Sequence, residues 1–578
     1  MGDLTGWTVQ NANDTGVKKS EGNIATVGVD GTYLFNTWSD PADQCPPLKQ
    51  TINHLKSGYY KLSALVTSFA ANSVYLVAND QYKGVATPQG EGVFVEHSVN
   101  FLVEDGVADI ATVGSYNGKF NYPKGAFFKS DNYRLTYLGS LAQGRVEIAL
   151  ADAKERANSL TDEAKAQFLA TVAKYENMEI DGDGIEEKQA IYTALKEATL
   201  SQRVANAEMT WVIRNHSFET SDLSGWTVPA QWDTRVDHQS SDIYANNADG
   251  LYLFNQWNDW VDANDNKPIQ QTITGLPNGT YRLTASVTSY AGNKVYVFGN
   301  GTASEGAVAT TEREMVETSV EFQVTDGTAT IGAVGALDGE FNEGGGCFYK
   351  VDNFRLTFVN NDVILNETDT EMKFIDGDWC TSVKLNRNIK ANTWSTFVVP
   401  FNMEIPTGWE VKELTSANQN GNVVSATFSD AATIEAGTPY MVRAKEAWSG
   451  TTVENTTLTS ALNDVDGSGI VTFKGNYING KVPTDAFFIS GNKFYQAVDN
   501  SNTLKAFRGY FEANGGAGVN VLNFTFDGEE TAINGVEADS DAMIVAIYSL
   551  DGRRIESMQR GVNIVKLSDG KTKKVIVK

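Results

Sequence analysis

The sequence predicts a mainly β, multi-domain chain. Two β-sandwich repeats of jelly-roll type are separated by a three-helix spacer and followed by a β domain and a small C-terminal β domain. Three observations predict this. The chain has 578 residues, too many for one core at roughly 100–200 residues per domain. Its 28 Phe, 22 Tyr and 11 Trp accompany 52 Gly, the mixture expected of strands joined by many turns. It also repeats itself. Leu4-Thr5-Gly6-Trp7-Thr8-Val9 recurs as Leu223-Ser224-Gly225-Trp226-Thr227-Val228, and Tyr33-Leu34-Phe35-Asn36 as Tyr252-Leu253-Phe254-Asn255, both 219 residues on. From Gln50-Thr51-Ile52 and Gln271-Thr272-Ile273 onward the offset is 221, and it closes on Asp131-Asn132-Tyr133-Arg134-Leu135 and Asp352-Asn353-Phe354-Arg355-Leu356.

The first repeat is assigned to 1–139. Tyr60, Leu62, Ala64 and Val66 alternate with polar residues, as do Tyr281, Leu283, Ala285 and Val287 in the second repeat, 209–360. Runs such as Val95 to Val103 and Val316 to Val324, bounded by Gly, Asn and Asp, complete a two-sheet antiparallel pattern. The second repeat has a leader, Trp211 to Glu219, that the first lacks. The sequence therefore predicts a truncated first strand, with Met1-Gly2 a scar in place of native upstream sequence.

Residues 140–208 change period. Val146, Leu150, Ala153 and Ala157, then Phe168, Val172 and Tyr175, then Ile191, Leu195, Ala198 and Leu200 recur at helical spacing. Thr161 followed by Asp162 and Glu163 reads as a helix start, and Asp181-Gly182-Asp183-Gly184 as a break before the third helix. The expected role is a semi-rigid spacer. Strand patterns return at Thr396 to Phe401, Tyr440 to Arg443, Ala486 to Ile489 and Val521 to Phe524, giving a β domain over 361–530. Residues 531–578 read as short strands with a hairpin at Asp551-Gly552, a segment too short to bury much core.

Lys plus Arg is 46 and Asp plus Glu 72, a formal net charge of −26 that repels phosphate backbones and anionic headgroups. Nucleic acid and direct membrane insertion are excluded as expectations, and no run of about 20 apolar residues is present. The N-terminus lacks the basic and apolar regions of a signal peptide, so any export signal was removed or never existed. Cys45, Cys347 and Cys380 offer no zinc spacing; they read as buried small side chains, with one disulfide left open.

Asn215-x-x-Phe218-Glu219, Leu223-Ser224-Gly225-Trp226 and the closing Val351 to Leu356 make the second repeat resemble a carbohydrate-binding module of the galactose-binding-like jelly-roll class. The first repeat is similar in its Leu-x-Gly-Trp and Asp-Asn-Tyr-Arg-Leu parts. The tail Ile547 to Arg554, Gly561 to Val565 and Lys573 to Lys578 resembles the C-terminal sorting domain of bacterial proteins exported by type IX secretion. These resemblances imply non-catalytic binding of a polysaccharide or glycan by an extracellular or cell-surface protein. They also imply an upstream domain of the same parent chain, a glycoside hydrolase. The alternative is an adhesin or structural protein whose sandwiches bind protein.

Sugar recognition needs a flat apolar face plus amides and carboxylates for the hydroxyls. Asn36, Trp38 and Asp40, and Asn255, Trp257, Asp259 and Trp260, supply that combination; alternatively the tryptophans cap the sandwiches. Asn72 and Asn293 at strand ends, and Phe120, Asn121, Phe341 and Asn342 in matched loops, are further candidates or else turn residues. Trp7 and Trp226 read as core plugs. In the resembled fold, carboxylates at the positions of Glu219 and Asp352, with Asp131 in the first repeat, hold a structural calcium ion through hard oxygen ligands; the alternative is a hydrogen bond to a neighbouring loop. Asp464-x-Asp466-x-Ser468-Gly469 has Gly475 where an EF-hand needs Glu, and reads as a turn. The histidines His54, His97, His216 and His238 do not recur between repeats, and no catalytic constellation can be built.

Overall fold

In the computed structural model the first repeat forms a five-stranded sheet in the order Gly16–Lys19, Tyr33–Thr37, Phe128–Gly139, Gly58–Thr67, Val95–Val103. It faces a four-stranded sheet in the order Leu48–Ile52, Ala108–Ser115, Ser73–Ala78, Tyr82–Ala86. The second repeat has the same order: Thr234–His238, Tyr252–Gln256, Tyr349–Asn360, Gly279–Thr288, Val316–Val324, facing Ile269–Thr274, Thr328–Ala336 and Lys294–Gly299. The two sequence offsets meet in the register, Phe35 opposite Ser130 and Phe254 opposite Val351. The structure describes residues 2–10, 14–39, 45–70, 72–80, 82–115, 125–229, 234–239, 243, 245–257, 267–336, 340–341, 346–490, 493–497, 501–514, 519, 521–526, 529–531, 544–555, 557–567 and 572–577.

The alternation read from the sequence is the core. Tyr281, Leu283, Ala285 and Val287 are fully buried, and Tyr60, Leu62, Ala64 and Val66 nearly so. Each large apolar side chain among them contributes about 1.5–3 kcal/mol of burial. The Asp-Asn motif has a structural cause. Asn132 and Asn353 have φ of 53° and 52°, and the ladder to the neighbouring strand slips there, between Ser63 and Leu65 and between Thr284 and Ser286. This bulge uses one residue of left-handed backbone, which Asn tolerates better than most side chains.

Of the helices α1 (Leu141–Arg156), α2 (Asp162–Val172) and α3 (Ile185–Leu200), the second and third start at the predicted signals, and the first at Ser140, a start not singled out from the sequence. Ser140 Oγ accepts from Gln143 N, Thr161 Oγ1 from Ala164 N, and Gly184 sits at φ 75°. Their shared core holds Val146, Leu150, Ala153, Phe168, Val172, Ile191, Leu195 and Ala198. Leu200 of the predicted stripe is half-buried and outside that core.

The helices link the sandwiches along the chain but do not hold them apart, which corrects the simple spacer. Leu251 of the second repeat is fully buried against Val77, Ala111 and Val113 on the outer face of the first repeat's four-stranded sheet. Lys83 Nζ lies 2.5 Å from Glu219 Oε2, and His238 Nε2 lies 3.7 Å from Asp80. Residues 1–361 form one compact unit and 362–578 another.

In the second unit, Asp362–Asn366 pairs in parallel with Trp379–Ile389, which pairs with Trp448–Thr457. A six-stranded sheet runs from Trp394–Phe397 to Glu529–Thr531, and a five-stranded one from Val465–Gly467 to Lys493–Gln496. Asp466 accepts Gly469 N at 3.0 Å between two strands, so the EF-hand-like run is a turn. The tail is a four-stranded antiparallel sheet in the order Arg554–Ile555, Ile544–Ser549, Gly561–Leu567, Thr572–Val577. Gly552 at φ 83° closes its first turn, where the sequence places a hairpin.

Candidate functional site

Three neighbouring antiparallel strands of each repeat's larger sheet have their ends together, and each end carries an aromatic ring. In the first repeat Trp38 follows Tyr33–Thr37, Phe69 follows Gly58–Thr67 and Phe127 precedes Phe128–Gly139. Trp38 is 42% exposed and Phe69 41%, while Phe127 is buried with its centroid 4.6 Å from that of Phe69. In the second repeat the matching residues are Trp257, Tyr290 and Phe348. Trp257 Nε1 donates to Tyr290 Oη at 2.9 Å, and the Tyr290 and Phe348 rings lie 4.6 Å apart at 36°. The same aromatic platform is thus built twice, from rings with apolar faces, of which the Trp and Tyr also carry a polar N–H or O–H.

The predicted asparagines support these platforms. Asn72 and Asn293 are buried, and their Nδ2 atoms donate to Ser68 Oγ at 3.4 Å and Ser289 Oγ at 3.3 Å. Those hydroxyls donate in turn to the carbonyls of Phe127 and Phe348 at 2.5 Å. Asn72 and Asn293 therefore brace the third ring rather than present amides at the surface. Asn36 and Asn255 are buried on the outer face of the larger sheet, opposite the inward-pointing Phe35 and Phe254. Their Nδ2 atoms donate to Asp14 O at 2.9 Å and Asp237 Oδ2 at 2.8 Å, while their Oδ1 atoms have no hydrogen-bond partner among the described residues.

Directly across the ladder from them stand two buried lysines, Lys129 and Lys350. Each ammonium lies behind the platform, 5.7 Å from the Phe127 centroid and 5.9 Å from that of Phe348. Burial lowers both lysine pKa values, opposed by Glu91 and Glu312 respectively.

Asp40, Asp259, Trp260, Phe120, Asn121 and Asn342 lie outside the described residues. Phe341 packs on Tyr296 and Phe298, at 5.6 and 5.5 Å, on the outer face of the smaller sheet, so packing accounts for it. Trp226 is a core plug: it is buried, 4.5 Å from Phe354, and its Nε1 donates to Asn215 O. Trp7 stands 4.5 Å from Tyr133 in the same place.

The carboxylates expected to hold calcium are engaged by N–H donors. Glu219 Oε1 accepts from Leu251 N and Tyr252 N at 2.8 Å, and Oε2 from Lys83. Gly250, at φ +77°, makes room for this, since a Cβ there would stand 2.4 Å from the Glu219 carboxylate. Asp352 accepts from Asp249 N at 2.6 Å and Asn353 N at 2.7 Å, and Asp131 from Asp30 N at 2.9 Å. Among the described residues no group of three or more His, Cys, Asp or Glu is placed to hold a metal ion. As placed, these N–H contacts tie a loop to the bulge. Burial pushes the Asp352 carboxyl well above its usual range, reinforced by the charges of Asp249 and Glu219.

Sequence reasoning missed Phe69, Phe127, Tyr290, Phe348 and the two lysines. The signal was available: each recurs at the 221 offset immediately beyond or at a predicted strand end.

No family model matches the sequence, and no curated protein matches it. Similar solved structures include a CBM61 described in complex with β-1,4-galactotriose, 22% identical over 25% of this chain and 97% of that one, with a TM-score of 0.20. Another is a family 35 carbohydrate binding module from Clostridium thermocellum, 14% identical over 23% and 93%, TM-score 0.17. A third is the module CBM6cm-2 of Cellvibrio mixtus lichenase 5A in complex with cellotriose, 10% identical over 24% and 93%, TM-score 0.16.

Proposed function

We propose that this chain is a non-catalytic glycan-binding segment of a secreted or surface-displayed protein, the C-terminal part of a longer glycoside hydrolase. One observation carries the reading: the same three-ring platform stands at the same strand ends of both sandwiches, with Trp38 and Phe69 exposed in one copy and Trp257 joined to Tyr290 in the other. A pyranose presents C–H groups on its face, which such rings attract, and hydroxyls at its rim, which the Trp38 N–H and the Tyr290 hydroxyl can meet. Two such sites on one compact unit favour a polymeric ligand, because the second contact forms at high effective concentration. The tail's resemblance to a sorting domain supports export and surface retention. No helix among the described residues is long and apolar enough to cross a membrane.

The test is affinity electrophoresis of the full chain against a panel of soluble polysaccharides. At least one should retard it, and Trp38→Ala with Trp257→Ala should abolish the retardation while circular dichroism stays unchanged. Retardation by none, together with capture of a protein ligand through the same rings, would favour adhesion instead.

A further inference from the structure

A cavity of about 440 Å³ lies between helices α1 and α3 on one side and residues 211–224 of the second repeat on the other. Its size falls in the range of small-molecule sites. It is separate from the platforms, and the reading of those has no use for its residues.

Its wall holds Arg156 in one orientation. Nε donates to Asp152 Oδ2 at 2.8 Å, and the guanidinium lies 4.3 Å over the Trp211 indole. Asp152 is fixed in turn by Tyr192 Oη, which donates to the same oxygen at 2.5 Å. Among the described residues the two terminal amino groups of Arg156 take no hydrogen bond, so a stacked, pre-oriented fork is left open. Lys188 and Arg214 line the same cavity, and neither has an ion pair among the described residues. The second lining carboxylate, Glu219, is already taken by Lys83 and two backbone amides. On a chain of net charge −26 this leaves a local excess of positive charge facing a cavity. The wall also carries the imidazole of His216, edge-on to Trp211 at 5.2 Å between ring centroids.

From this geometry we infer that the cavity binds a small carboxylate, about the size of one acidic sugar unit. Its carboxylate would lie on Arg156 and Lys188. A planar guanidinium fixed at its Nε and its face is suited to the two coplanar oxygens of a carboxylate.

The experiment is ligand-observed NMR titration of the full chain with sodium D-galacturonate, D-galactose and sodium sulfate. The expected result is saturable galacturonate binding that galactose and sulfate do not match. It should weaken about ten-fold in Arg156→Gln and again in Lys188→Gln, a charge-assisted hydrogen bond in each case. Lys188 is exposed, so its variant should fold normally even if Arg156→Gln does not. Absence of galacturonate binding, equal binding by the Lys188 variant, or sulfate binding as tight as galacturonate would overturn the inference.

Discussion

Asn353 and Asn132 sit at φ near +50° in the bulge that aims Asp352 and Asp131 at a loop amide. Alanine has no side-chain hydrogen bond to offset left-handed backbone, whereas glycine adopts it freely. Asn353→Ala should therefore destabilise the first unit by about 1 kcal/mol and Asn353→Gly by less. Denaturant midpoints would show this order. His216 gives a second residue-level expectation. Burial, helped by the Arg156 charge, lowers its pKa from 6.5 to about 4. The folded state thus binds this proton less readily than the unfolded chain. Its contribution to stability is present above pH 6.5 and lost as pH falls through 6.5 toward 4. His216→Gln should flatten the melting temperature in that window; an unchanged slope would place the titration elsewhere. Much at this scale was legible. The phase of Tyr33 to Thr37 already sends Asn36 away from Phe35, and a strand's period of two settles which face it meets. What covers that face was not legible, because Lys129 arrives from 93 residues away in the chain.

Element by element, the α1 contact with the first sandwich sets two effects against each other. Replacing a mid-helix glycine by alanine ordinarily gains about 1 kcal/mol of helix propensity. At Gly144, however, a Cβ would come within 2.6 Å of Tyr59 Cβ and 2.7 Å of Leu102 Cδ2. Overpacking of that kind costs about 1–3 kcal/mol. Gly144→Ala should lower the melting temperature, and a rise would mean that the helix does not dock on that sheet. The helices themselves were legible because their stripes and caps are local signals, Thr161 among them. The docking glycine was not, since its constraint comes from a strand more than 80 residues earlier. The same holds for the platforms. Trp38 and Trp257 stand out as tryptophans, but Phe127 and Phe348 look like the start of a core strand until the sheet order brings them beside Phe69 and Tyr290.

For the first unit as a whole, the contact between sandwiches replaces the picture of two sites on a spacer. Leu251 is the apolar anchor of that contact, with Lys83 and Glu219 beside it. Truncating it to alanine should cost about 2–4 kcal/mol of stability. Avidity for a polysaccharide should then fall toward the affinity of one site, with oligosaccharide affinity unchanged, because the sites lose their fixed relation and not their rings. Nothing local in the sequence marks Leu251, which the repeat aligns with Thr32; only the fold places it against Val77.

The claim on which the rest depends is that both platforms bind sugar. Isothermal titration of the full chain with an oligosaccharide of the retarding polymer measures this directly. The account predicts two sites per chain, one in Trp38→Ala, one in Trp257→Ala and none in the double variant. A stoichiometry that does not respond to these substitutions would contradict it.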